Sequence, residues 1–284
     1  MDSVSVKVHA KINLSLNVCG KTDNYHVLDT VMTSVDIADV VSVRKSRDSS
    51  FKVSFDVEGP EFSNAFKAAR LMSVRFGCGG ADICVRRGIP AGGGLGGSSA
   101  DAAGVMRALN LLYGLGIDDD SLAEAAAEIG SDVPYMLTGG YARLIGTGGV
   151  FESFDGPDGQ IIIAGSGTVS TKECFETFDR FDFGGIAADN GALVERLVGG
   201  GLLSAGRFTG NALFGAASLL NPSVAEIYGI MRAHGLDACM TGSGACVFGI
   251  GDEKELRAAE TALNEHGYRS DIINIVKKAA RLYK

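Results

Sequence analysis

The feature that most limits what this chain can become is the stretch Pro90-Ala91-Gly92-Gly93-Gly94-Leu95-Gly96-Gly97-Ser98-Ser99-Ala100. Every position from Gly92 to Gly97 except Leu95 is glycine, so the backbone there can turn sharply and come close to another group. Directly after it Ala102, Val105, Met106, Leu109 and Leu112 recur at helical spacing, so the loop opens a helix with Ser98 and Ser99 at its start. Free backbone N–H groups and the dipole at such a helix start hold anions. A glycine run that only turns a corner is the bland alternative, and the direct run into a helix favours a phosphate cradle. Two familiar cradles do not fit. No lysine follows the glycines, as a P-loop requires. The pattern G-x-G-x-x-G occurs literally at Gly92–Gly97, but the region about 20 residues on, where a dinucleotide-binding unit carries an acidic group, is apolar around Leu112.

Length and composition bound the rest. A chain of 284 residues favours about two domains. Its 40 glycines are about twice the usual share, yet there are only five prolines and no G-X-Y period, which excludes collagen-like and Pro-rich readings. Hydrophobic residues at 46% support a sizeable core. The net charge of −8 argues against nucleic acid or an anionic membrane surface as the main partner. It leaves a phosphorylated small molecule open, because backbone N–H groups bind phosphate without net positive charge. Six cysteines show no C-x-x-C pair and no zinc spacing, so buried reduced thiols are expected and no metal site is assigned. The N-terminal residues carry charges and strand-like alternation, and no run of 18 apolar residues occurs. A cytoplasmic location is the expectation.

Along the chain, VSVKV, INLSLNV and VLDTVMTSVDI predict three strands between Val4 and Phe55, the last two separated by a loop at Gly20–His26. Helical spacing begins near Phe62, with Phe66, Ala69 and Val74 near one face. ADICVRR reads as the strand before the glycine loop. A capping-box spacing, Ser121 with Glu124, predicts a helix running to Gly130. After the strand QIIIA, helices are expected around 171–179, 189–198, 210–220 and 223–234. The chain then reads as a strand, a glycine turn, a strand, the helix EKELRAAETALNEHG and the strand YRSDIINIV, a split βαβ pattern. The glycine-rich region 145–160 is the candidate junction, dividing the chain into 1–155 and 156–284.

The segment Pro90–Ala100 resembles the phosphate-binding motif of the GHMP kinases (galactose, homoserine, mevalonate and phosphomevalonate). Two further blocks stand in the matching order: His9-Ala10-Lys11-Ile12-Asn13-Leu14, and Met240-Thr241-Gly242-Ser243-Gly244-Ala245 ahead of a strand. Within that superfamily, Ala10–Leu14, Asp23-Asn24-Tyr25-His26 and Gly130-Ser131-Asp132-Val133-Pro134 resemble the A-K-I-N-L, D-G-Y-H and G-A-D-V-P motifs of the 4-diphosphocytidyl-2-C-methyl-D-erythritol kinases. The resemblance implies an α+β, two-domain fold: an N-terminal ATP-binding domain like domain 2 of ribosomal protein S5, and a C-terminal ferredoxin-like domain. It also implies a kinase of non-mevalonate isoprenoid biosynthesis that uses ATP and Mg2+ on a cytidine-diphospho sugar alcohol, as a monomer or weak homodimer.

The same resemblance places the chemistry. Lys11 and Asp132 correspond to the catalytic pair, and Pro90 to Ala100 to the ATP site. Tyr25 and His26 correspond to the residues that recognise the cytosine, and Phe175 to the aromatic on the base's other face. Asn13, Thr171, Gly242, Ser243 and Gly244 complete the substrate site. Three departures stand out: Asn24 replaces a glycine, Val27 replaces an acidic residue, and Asn211-Ala212-Leu213-Phe214 stands where the family reads N-D-L-E.

Read from the residues alone, Lys11 is a lysine in an otherwise apolar strand, which suits either a strand-edge position or a buried functional ammonium. Asp132 at a helix start suits either an N-cap or a base kept ionised by the dipole. Asp101 is assigned no chemistry, and Asp118-Asp119-Asp120 reads as a solvated helix start. Two alternatives to the cytidine-diphospho kinase remain: a kinase for another alcohol, and a nucleotide-binding protein without catalysis.

Overall fold

The alternating pattern of the first fifty residues is realised as two very long antiparallel strands, β1 (Ser3–Lys21) and β2 (His26–Lys45). The computed structural model describes residues 2–22, 25–48, 50–56, 63–148 and 151–283. Asp23 and Asn24 of the expected recognition loop, and Phe62 at the expected helix start, lie outside the described residues. VSVKV and INLSLNV are one strand, because the break expected between them is a register shift between His9 and Ala10, a bulge that bends a strand without ending it.

Then follow β3 (Phe51–Phe55), α1 (Asn64–Phe76), β4 (Ala81–Arg86), α2 (Gly97–Tyr113), α3 (Asp119–Ala126), α4 (Val133–Thr138), β5 (Tyr141–Gly146) and β6 (Phe151–Phe154). Along its other edge β2 pairs in turn with β5, a late strand β11 (Ser270–Val276) and β4; β3 lies beside β4, and β6 beside β5. α1 buries Ala65, Ala68, Ala69 and Met72, a face rotated from the one expected, and leaves Val74 exposed. α3 is capped by Asp118, which accepts from Ser121 N at 2.7 Å, and not by Ser121. The extra turn places Asp119 and Asp120 at the positive end of the helix dipole.

The second half contains β7 (Gln160–Ala164), α5 (Thr171–Arg180), α6 (Asn190–Gly199), α7 (Leu202–Ala205), a 3-10 turn at Gly206–Phe208, β8 (Gly210–Asn211), α8 (Phe214–Leu220), α9 (Ser223–Ala233), β9 (Asp237–Met240), β10 (Val247–Ile250), α10 (Glu253–Glu265), β11 (Ser270–Val276) and β12 (Ala280–Leu282). Where a helix was expected over 210–220, Gly210 and Asn211 instead pair in parallel with Ser15 and Leu16 of β1, and the helix begins only at Phe214. The sheet β11-β7-β10-β9 is antiparallel throughout, which is the ferredoxin-like order of a split βαβ unit. β11 joins the two sheets by pairing with β7 along most of its length and with Val35 and Ser34 of β2 at its end. β12 returns to the edge of β1.

All six cysteines are free; Cys78, Cys174, Cys239 and Cys246 are buried, whereas Cys19 and Cys84 are exposed, contrary to the expectation of uniform burial. Among the described residues no helix is long and apolar enough to cross a membrane.

Candidate active site

β1 carries Lys11 into the molecule's interior, where it is only 5% exposed. A buried ammonium needs partners, and it has two. Its Nζ donates to Asn13 Oδ1 at 2.6 Å and lies 3.7 Å from Asp132 Oδ2. Asn13 is itself fixed: its backbone N–H donates to Thr241 Oγ1 at 2.9 Å, and its Nδ2 donates to Thr30 Oγ1 at 2.8 Å. Asp132 immediately precedes α4, but its side chain makes no capping hydrogen bond. The side chain is 34% exposed and opens on a cleft of about 420 Å³.

The glycine loop forms one wall of that cleft and is built against its neighbours. Lys11 N donates to Leu95 O at 3.1 Å, while Ala245 N and Cys246 N donate to Gly92 O and Gly93 O. Gly94, at φ +75°, is required by this packing, since a Cβ there would stand 2.2 Å from Thr241 O. A Cβ at Gly96 would meet Met136 Cε at 2.2 Å and Lys11 Cγ at 3.2 Å, so the loop lies directly on the lysine. Gly97 opens α2, whose first N–H groups have no intrahelical partner. This combination fits a nucleotide's phosphates. Asp132 is the one carboxylate among the described lining residues that is open to the cleft, Asp39 being buried. That suits Mg2+, an ion that keeps several waters and is held mainly by phosphates plus one or two carboxylates.

α5 and the loop after β9, which packs on the glycine loop, supply further lining. Thr171 Oγ1 and Ser243 Oγ are 2.9 Å apart, and Thr171 and Phe175, one turn apart on α5, both line the cleft with Gly242. Gly244 and Ala100 do not line it. His26 lies outside this cleft, against Phe175. His26 stacks on the Phe175 ring at 4.5 Å and 24° and meets Phe178 edge-on at 6.4 Å, whereas Tyr25 is 66% exposed. It is therefore His26, and not Tyr25, that stands against Phe175. His26 Nε2 is 2.7 Å from Asp179 Oδ1, and Lys21 pairs with the same carboxylate. Lys21, then His26, hold the Asp179 carboxyl below its usual range.

Sequence reasoning missed Asp179, although it continues the spacing Thr171, Phe175, Asp179 along α5. It also missed Thr30, Thr241 and Asp39, which only the fold brings near the loop. The N-D-L-E departure has a local explanation. Asn211 keeps a structural task, its Nδ2 donating to Met240 O and Gly242 O at 2.8 Å each. Ala212 is buried in the apolar cluster that includes Leu213, Ala216 and Met240, and Phe214 packs on Tyr228 with ring centroids 4.7 Å apart.

Comparison with known proteins agrees with this architecture. The family described as "GHMP kinases N terminal domain" matches residues 63–140, and "GHMP kinases C terminal" matches residues 192–269. The chain belongs to the GHMP kinases, in the family of the 4-diphosphocytidyl-2-C-methyl-D-erythritol kinases. A kinase of that name from Caldicellulosiruptor saccharolyticus is 36% identical over 90% of this chain and 91% of its own. One from Bacillus cereus (strain AH187) is 33% identical over 86% and 87%. A crystal structure of 4-(cytidine 5'-diphospho)-2C-methyl-D-erythritol kinase superposes with a TM-score of 0.78 at 30% identity, covering 95% of this chain and 98% of its own. Homoserine kinase from Cytophaga hutchinsonii, at 20% identity and a TM-score of 0.77, shares the fold.

Proposed function

We propose that this chain transfers the γ-phosphoryl group of ATP to a hydroxyl of 4-diphosphocytidyl-2-C-methyl-D-erythritol, as its relatives' names describe. The observation that carries the reading is the Lys11–Asp132 pair, which shares one cleft with the glycine loop and with Phe175, the ring on which His26 stacks. ATP supplies the phosphoryl group, and Mg2+ bound with it offsets the charge of its phosphates. Phosphoryl transfer asks mainly for positioning and charge neutralisation. The N–H groups of the glycine loop and the start of α2 bind and orient the phosphates. Asp132 accepts the proton of the acceptor hydroxyl as its oxygen forms the new P–O bond and the bond to the bridging oxygen breaks, releasing ADP. Lys11, facing Asp132 at 3.7 Å, offsets charge on the transferring group. Tyr25, His26 and Phe175 supply the faces and polar edges that a pyrimidine needs. A cytoplasmic setting, where thiols stay reduced, suits the six free cysteines.

The test is an ADP-release assay of the purified protein with ATP, the cytidine-diphospho substrate and a panel of other alcohols including homoserine and mevalonate. Stimulation by the cytidine-diphospho substrate is expected. Release stimulated only by a non-nucleotide alcohol would overturn the acceptor, and no stimulation by any of them would overturn catalysis.

A further inference from the structure

Beneath the amino end of α2 lie two carboxyl groups that the phosphoryl-transfer reading does not use. Asp39, on β2, is 1% exposed; its Oδ1 accepts from Gly88 N at 2.7 Å and Ile89 N at 2.8 Å. These N–H groups belong to the turn that leads straight into Pro90 and the glycine loop, so Asp39 anchors the start of the cradle. Asp39 Oδ2 lies 4.0 Å from where a Cβ on Gly97 would stand, directly under the first residue of α2. Asp101, on the second turn of α2, is 2% exposed and lies four residues on from Gly97, on the helix face that Asp39 underlies. Its Oδ2 is 3.8 Å from an Arg87 guanidinium nitrogen, and its Oδ1 has no protein partner.

Two ionised carboxylates buried side by side in this way would repel each other and leave the buried Oδ1 without a donor. A proton on one of them converts repulsion into a hydrogen bond. We propose that Asp39 and Asp101 are a positioning pair for the phosphate cradle, sharing one proton so that, with Arg87, the base of the loop carries no net charge. Burial first, and then the charge of Asp39, push the Asp101 carboxyl well above the usual carboxylate range. Arg87 opposes that rise, and these two are the charged groups that face Asp101: Asp39 from β2 and Arg87 from the turn after β4. With the proton present, the N–H groups of α2 meet the nucleotide's phosphates over a neutral floor. Once it is lost, a net negative charge lies under the same phosphates and the anchor of the loop is strained.

This inference rests on reading the glycine loop as the ATP cradle. The test measures ATP binding by calorimetry, together with KM for ATP and kcat, from about pH 6.5 to about pH 9.5, a span reaching well above ordinary carboxyl values. Wild-type Kd and KM for ATP should rise roughly three- to tenfold towards the alkaline end, the scale of one added charge at this separation, with a smaller change in kcat. Asp101→Asn keeps a neutral donor at every pH, so its ATP affinity should stay flat. A carboxyl-carbon NMR titration should show one aspartate resonance in the wild type titrating far above the rest and missing from Asp101→Asn. A flat wild-type profile, no such resonance, or the same alkaline rise in Asp101→Asn would each overturn the pair's role. The wild-type measurements decide it even if the variant fails to fold. No ATP binding at any pH would instead overturn the cradle reading, and this inference with it.

Discussion

Lys11 reaches towards Asp132 across 3.7 Å, but its shorter bond, 2.6 Å, goes to Asn13. The ammonium is therefore held from the side by a residue fixed at two further points, and it faces the carboxylate without closing a tight ion pair. The carboxylate thus keeps an oxygen open to the cleft, where an acceptor hydroxyl can reach it. Asp132→Asn preserves size and shape and breaks no capping bond; an amide oxygen still faces the Lys11 ammonium, which also keeps its bond to Asn13, so the fold should persist. Turnover should fall by roughly 10²–10⁴ with both substrates still bound, the usual worth of a positioned base. Steady-state kinetics with separate binding measurements check this, and near-normal turnover would remove Asp132 from the chemistry. Lys11→Met should show a loss of the same kind, with a double variant little worse than either single one, as for groups that act as a unit.

Asn13 is expected to matter through Lys11. Asn13→Ala removes the 2.6 Å bond and leaves the Lys11 ammonium, and Thr30 Oγ1 as an acceptor, short of a partner. A buried group so deprived costs about 1–3 kcal/mol, which chemical denaturation will read. Asn13→Asp restores an acceptor for the ammonium and should recover more kcat than Asn13→Ala. Equal activity in the two variants would show that the lysine needs no such hold.

Gly94 tests how the cradle is built. At φ +75° its Cβ would meet the Thr241 carbonyl oxygen at 2.2 Å, so the collision falls on the loop after β9 and not on a bound phosphate. Gly94→Val should therefore cost stability first, at least about 1–2 kcal/mol from the left-handed backbone alone. It should raise KM for ATP by pushing the two loops apart. A variant with normal thermal stability and normal ATP affinity would show that the contact between the loops is dispensable.

Much of this was legible in the chain because it is local. A glycine run opening a helix, alternating strand segments and a split βαβ pattern each declare themselves within some thirty residues, although the break expected between the first two segments proved to be a bulge. Lys11 was legible for the opposite reason, as a charge where an apolar side chain belongs. What escaped is created by tertiary contact. Asp39 and Asp101 look like an ordinary strand residue and an ordinary helix residue until α2 lies across β2. Asp118 caps α3 because an earlier acid won over the Ser121–Glu124 spacing. Gly210 and Asn211 joined β1, since a backbone edge was free there for two residues of an expected helix.

The aromatic group predicts a separation of substrates. His26 stacks on Phe175, and Thr171 and Phe175 share the cleft with the glycine loop, but His26 itself lies in a neighbouring hollow with Lys21, Phe178 and Asp179. Replacing Tyr25, His26 or Phe175 by Ala should weaken acceptor binding by roughly 1–3 kcal/mol, the usual worth of a base stack, and leave ATP binding nearly unchanged. Parallel titrations with ATP and the cytidine-diphospho substrate read both. Equal weakening of the two would assign these rings to folding.

Burial of Asp101 predicts how stability depends on pH. Its folded carboxyl titrates above the unfolded value of 3.8, because burial and then the charge of Asp39 disfavour ionisation. The folded state therefore holds this proton over a range where the unfolded chain has released it. By linkage, the contribution of Asp101 to stability is fully present below the unfolded value and is lost as pH rises towards the folded one. An asparagine has no proton to lose. Asp101→Asn and the wild type should thus be most alike in acid, and the variant should gain on the wild type steadily as pH rises through neutrality. Urea unfolding at a series of pH values measures the difference directly. A constant difference across the series would mean that the Asp101 carboxyl titrates alike in both states, so that its burial beside Asp39 exerts no electrostatic penalty.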